Sequence, residues 1–112
     1  MVLLTAENKK VVVNLKTDIC LYDAPHNPPN TGTRYTSGTD YYAHKARSGN
    51  VYYYSYSWSM WQGTNEHYEL VEPENMRLEL IRLAGLPYPA ELSDNEIELA
   101  NEYFPGIFNE DA

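Results

Sequence analysis

Apolar and polar positions alternate most regularly over residues 51–61, VYYYSYSWSMW. Tyr52, Tyr54, Tyr56, Trp58 and Met60 occupy the even positions, and Ser55, Ser57 and Ser59 lie between them. A period of two is that of a β-strand, so one face is aromatic and the other small and hydroxylated. Other short β-type runs surround it. Val11 to Leu15 is rich in β-branched residues, and Asp18 to Tyr22 places Ile19 and Leu21 on one face. Tyr41 to Ala46 is a third candidate. Ser48-Gly49-Asn50 closes it as a hairpin onto the Tyr/Ser strand. Glu66 to Val71 returns after the turn residues Gln62-Gly63-Thr64-Asn65. Residues 24–33, rich in Pro and Asn, predict a long irregular loop, and Ser37-Gly38 predicts a turn.

The pattern changes period after residue 72. Pro73 suits a first helical position. Met76, Leu80, Leu83 and Ala84 follow at helical spacing, Gly85 suits the C-cap and Pro87 prevents continuation. Pro87 to Glu91 predicts an extended linker. Ser93 and Glu96 have capping-box spacing, with Leu92 and Ile97 spaced as a hydrophobic staple. Ile97, Ala100, Tyr103 and Phe104 then share one side, and Pro105-Gly106 ends the helix. The expected fold is α+β. A small antiparallel barrel or curled sheet of about five strands occupies residues 1–72. Two short amphipathic helices, residues 73–112, pack on it.

At 112 residues the chain fits one small fold with a modest core. Eleven of its aromatics are tyrosines, against two tryptophans and two phenylalanines. Their polar tips suit a half-wet surface as well as a core. The single cysteine, Cys20, excludes an intramolecular disulfide and fits a reducing compartment. Val2 to Leu4 is too short for a signal-peptide core, and no run approaches a membrane span. A soluble, cytoplasmic protein is expected, with an export segment removed as the alternative.

Charge is unevenly distributed. Residues 1–68 hold five acids and six bases, whereas residues 69–112 hold eleven acids and two arginines. The acidic half reads as a solvated helical face, or as a docking surface for a basic partner. It disfavours nucleic acid, whose phosphates it would repel.

Turn placement and strand order over residues 11–72 resemble bacterial Src-homology-3-like (SH3-like) domains. The resemblance rests on Leu21-Tyr22-Asp23-Ala24-Pro25, then Gly32-Thr33 and the turn Ser37-Gly38-Thr39. It continues through Ser48-Gly49-Asn50, leading into Val51-Tyr52-Tyr53, and the closing strand His67-Tyr68-Glu69-Leu70-Val71. It implies a small barrel that binds peptides or cell-wall fragments and is not usually an enzyme. The serine-rich strand and the acidic helical pair depart from that pattern.

The three histidines, His26, His44 and His67, form no metal-spaced motif and read as surface or loop residues. Cys20 reads as a buried structural thiol. No phosphate-binding glycine loop or nucleophile elbow is present. No metal or cofactor is expected. Buried, each phenol or indole of the aromatic strand needs a hydrogen-bond partner. A structural role and a contact platform therefore both fit. The leading expectation is a non-enzymatic binding or adaptor module for a protein, peptide or glycan. The aromatic strand and the loop 23–36 would form its contact surface, with Tyr35, Tyr52, Tyr54, Tyr56, Trp58 and Trp61 as candidate contact residues. The alternative is a small acidic inhibitor or regulator that docks its helices on a basic surface. Dimerisation through an edge strand stays open.

Overall fold

The computed structural model describes residues 2–6, 9–25, 37–59 and 66–108. The chain divides into two compact units, residues 1–71 and 72–112. The first is all β. Its strands are β1 (Val2–Ala6), β2 (Lys9–Val13), β3 (Ile19–Tyr22), β4 (Ser37–Lys45), β5 (Val51–Ser59) and β6 (His67–Val71). The second holds α1 (Pro73–Ala84) and α2 (Asp94–Tyr103).

The α+β class stands, but the barrel does not close. The described strands form two antiparallel sheets: a β1–β2 hairpin and a four-stranded meander in the order β3-β4-β5-β6. β1 approaches β6 without entering its hydrogen-bonded ladder. The first strand, β1, lies in the apolar run at the start of the chain. It pairs along its whole length with β2, from Val2 opposite Val13 to Ala6 opposite Lys9.

Ser37-Gly38 is not a turn. Both residues belong to β4 and pair with Ser59 and Trp58 of β5. Glycine is needed there for close packing rather than for a bend. A Cβ on Gly38 would sit 2.9 Å from Cζ2 of Trp58 and 2.9 Å from Cβ of Ala24. The Ser48-Gly49-Asn50 turn forms as expected. Gly49 has a φ of 93°, and the Ala46 N–H donates to the Asn50 carbonyl at 2.8 Å. The turn expected over residues 62–65 lies outside the described residues.

Both helices start where their capping chemistry places them. Pro73 opens α1, and Met76, Leu80 and Leu83 are its buried stripe. Ser93 caps α2 reciprocally. Its Oγ accepts from the Glu96 N–H at 3.2 Å, while its own N–H donates to Glu96 Oε1 at 2.9 Å. The segment after α1 is a turn rather than an extended linker. The Ala90 N–H donates to the Pro87 carbonyl at 2.9 Å, and the Tyr88–Pro89 peptide bond is cis. No described helix is long and apolar enough to cross a membrane.

Candidate functional site

Strand register decides which side chains share a face. Tyr42 lies opposite Tyr54, His44 opposite Tyr52 and Asp40 opposite Tyr56, and on the next strand Tyr54 and Tyr56 face Leu70 and Tyr68. These residues therefore project from one side of the meander. With Val11 and Val13 of the hairpin, Tyr54 forms the centre of a core lined by Leu4, Leu15, Tyr42, Tyr52, Tyr68 and Leu70. The Tyr42 and Tyr54 rings stack with centroids 5.4 Å apart and planes 11° apart. Tyr56 and Tyr68 tilt against each other at 4.9 Å.

Two aspartates make this polar aromatic face tolerable as a core. Asp18 accepts the Tyr54 hydroxyl on Oδ2 at 2.7 Å and the Asn14 N–H on the same oxygen at 2.8 Å. Its Oδ1 lies 2.8 Å from Nδ1 of His44. The β2–β3 connection holds this carboxylate in place. The Asn14 carbonyl accepts from the N–H groups of Thr17 and Asp18, and Asn14 Oδ1 accepts from the Lys16 N–H. Asp40, itself buried, accepts the Trp58 indole N–H at 3.0 Å and the Ala24 N–H at 2.8 Å, both on Oδ1. Each buried donor thus meets a carboxylate oxygen, where hydrogen bonds are stronger than neutral ones.

The candidate contact residues separate accordingly. Tyr54 is 0% exposed and Trp58 8%, so neither offers its ring to a partner in this fold. Tyr52 and Tyr56 are half-buried. Tyr35 and Trp61 lie outside the described residues. Burial, reinforced by the Asp18 hydrogen bond, drives the Tyr54 phenol far above its ordinary range. Burial, with a smaller contribution from Cys20, does the same for Tyr42. Tyr56 is pushed up to about 12 by burial and by a hydrogen bond to Glu66.

His44 lies in β4, with its side chain 22% exposed, rather than in a loop or free on the surface. It lines an open cleft of about 640 Å³ between β2 and the turn end of the β4–β5 hairpin. Lys10, Val12, Lys45, Arg47 and Tyr52 line the same cleft. Among the described residues, no carboxylate pairs with Lys10, Lys45 or Arg47. The Asp18 contact occupies Nδ1 of His44 and leaves Nε2 as the ring nitrogen for a ligand. Sequence reasoning missed this grouping because it joins three elements distant in the chain. The adjacent Lys45 and Arg47 beside a turn were the one local signal. His67 is exposed in β6, 3.6 Å from Glu69, and His26 lies outside the described residues. Cys20 is half-buried rather than buried, and its thiol belongs to no disulfide. Among the described residues, no group of three or more His, Cys, Asp or Glu is placed to hold a metal.

No protein-family model matches the chain, and no curated protein or solved structure matches it.

Proposed function

We propose that this protein is a non-enzymatic binding module that takes a protein or peptide segment in the cleft beside Tyr52. The observation that carries this reading is three cations without described carboxylate partners around one open cleft, in a chain of net charge −8. The half-buried Tyr52 and the exposed Val12 provide an apolar wall, and Lys10, Lys45 and Arg47 provide charge at its rim. That combination suits a segment with an apolar or aromatic group and acidic neighbours. On this reading the partner meets the end of the Tyr/Trp strand rather than its length, where Tyr54 and Trp58 are buried. A random peptide library displayed on phage tests this. Binders enriched in Asp and Glu are expected, with affinity lost in the Arg47→Glu and Tyr52→Ala variants. Binders that hold both folded variants as tightly as wild type would sink the proposal.

One observation favours a second reading, in which the helical unit docks on a basic partner. The acids of α1 are paired, Glu74 with Arg77 and Glu79 with Arg82. In α2, Glu98 and Glu102 are exposed and the last turn carries no base. Replacing both with Lys abolishes binding to a basic surface on this reading; unchanged binding rejects it.

A further inference from the structure

We propose that the cleft is a phosphate-recognition site whose preferred occupant is a phosphorylated peptide side chain. This rests on the reading of the cleft as the contact surface and adds the chemistry of the ligand. Lys10, Lys45 and Arg47 line it without described partners, and His44 joins them with one ring nitrogen already committed to Asp18. Nδ1 lies 2.8 Å from Asp18 Oδ1, which fixes the ring and leaves Nε2 as the nitrogen for a ligand. The three cations carry more positive charge than the single negative charge of one carboxylate balances. A phosphomonoester presents three terminal oxygens and nearly two negative charges, and so matches them better.

The chain's charge distribution favours an isolated phosphate over a polyanion. Residues 69–112 carry eleven acids against two arginines, and the net charge of −8 works against a long phosphate backbone, which gathers its affinity over many contacts. The Tyr52 and Val12 wall gives an apolar seat to the group that bears the phosphate. Asp18 acts here as a positioning residue. Its carboxylate fixes the ring of His44 and does not itself meet the ligand.

The test is a titration of the isotope-labelled protein at about pH 7, where a phosphomonoester is close to a dianion. The probes are N-acetyl-phosphoserine amide, N-acetyl-phosphotyrosine amide, N-acetyl-glutamate amide and N-acetyl-serine amide. Backbone amide shifts confined to residues 10–12, 44–47 and 52 are expected. Both phospho-probes should bind about tenfold more tightly than the glutamate probe, with the phosphotyrosine probe ahead. Arg47→Ala and Lys10→Ala, both at exposed positions, should each weaken the phospho-probes several-fold without changing the fold. In Asp18→Asn the imidazole nitrogen shifts of His44 should report the opposite tautomer, which carries its proton on Nε2, and the phospho-probes should bind at least as tightly as to wild type. A structural role alone would not move those shifts. Equal binding of the phospho- and glutamate probes, or shifts elsewhere, overturns the inference. So does a mixed-sequence single-stranded RNA that competes more strongly than the phospho-probes. If library peptides still bind through Arg47 and Tyr52 while the phospho-probes gain nothing, the phosphate inference fails and the peptide-binding reading survives. If neither engages the cleft, both fall.

Discussion

Removing the Asp18 carboxylate should destabilise the β unit by an amount that depends on what replaces it. Alanine leaves the Tyr54 hydroxyl, the Asn14 N–H and His44 Nδ1 without their acceptors. The Tyr54 residue is 0% exposed, so its hydroxyl cannot recover a bond from bulk water. A buried orphan donor costs about 1–3 kcal/mol. Asn14 is half-buried and His44 sits at a cleft, so both rehydrate more cheaply. The expected total for Asp18→Ala is about 2–4 kcal/mol, a large part of the roughly 5–15 kcal/mol that holds a small fold. Asparagine keeps one oxygen for Tyr54 and Asn14 and turns its amide towards His44, which must then present a lone pair at Nδ1. That change loses charge assistance but leaves no donor orphaned, and should cost about 1 kcal/mol. Urea unfolding followed by tryptophan fluorescence measures both. At a slope of roughly 1–1.5 kcal/mol per molar, the two midpoints should separate by about 0.7–3 M. The double variant Asp18→Ala/Tyr54→Phe removes the orphan hydroxyl and should be no less stable than Asp18→Ala alone. Equal losses for Ala and Asn, or simple additivity with Tyr54→Phe, would refute the reasoning.

Two further outcomes follow from the same face. Gly38→Ala places a methyl 2.9 Å from the Trp58 ring and should cost about 1–3 kcal/mol by overpacking. Near-ultraviolet circular dichroism should show the indole displaced, and an unchanged spectrum and stability would contradict the packing. Tyr42, Tyr54 and Tyr56 hold their protons more tightly folded than unfolded. Their contribution to stability is therefore complete below the ordinary phenol value near 10. It is lost as pH rises through about 12 for Tyr56 and still higher for the other two. In a rapid jump to high pH, near-ultraviolet absorbance should show the exposed phenols ionising at once and the buried ones only with unfolding. A single fast phase for all eleven tyrosines would exclude the buried network.

Local periodicity and capping made the elements legible. β5, α1 and α2 start where alternation, Pro73 and the Ser93–Glu96 box place them. β1 was hidden because an apolar run of three residues has no readable period until it meets β2. Ser37-Gly38 misled for a related reason. Dipeptide rules read Gly38 as backbone freedom, whereas its role is set by the indole of Trp58, twenty residues away. The linker after α1 differed because a bond from Ala90 to Pro87 folds it into a turn.

The site was less legible than the fold, because its chemistry is a matter of register. The aromatic alternation named Tyr54 and Trp58 as candidate contacts, and the need of each for a buried acceptor was visible in the sequence. The acceptors themselves, Asp18 and Asp40, lie on other segments and carry no local mark. Once they are in place, the argument about polarity reverses. Polar tips on the aromatic strand do not require a wet surface, because carboxylates inside the unit take the place of water. The same economy produces the cleft. Asp18 satisfies Tyr54 with one oxygen and anchors His44 with the other, so the residue that closes the core also sets the direction of the His44 ring that lines the cleft. Stability and ligand affinity are thereby coupled through one carboxylate. Asparagine should separate them, lowering the first by about 1 kcal/mol while leaving a donor at Nε2 for the second.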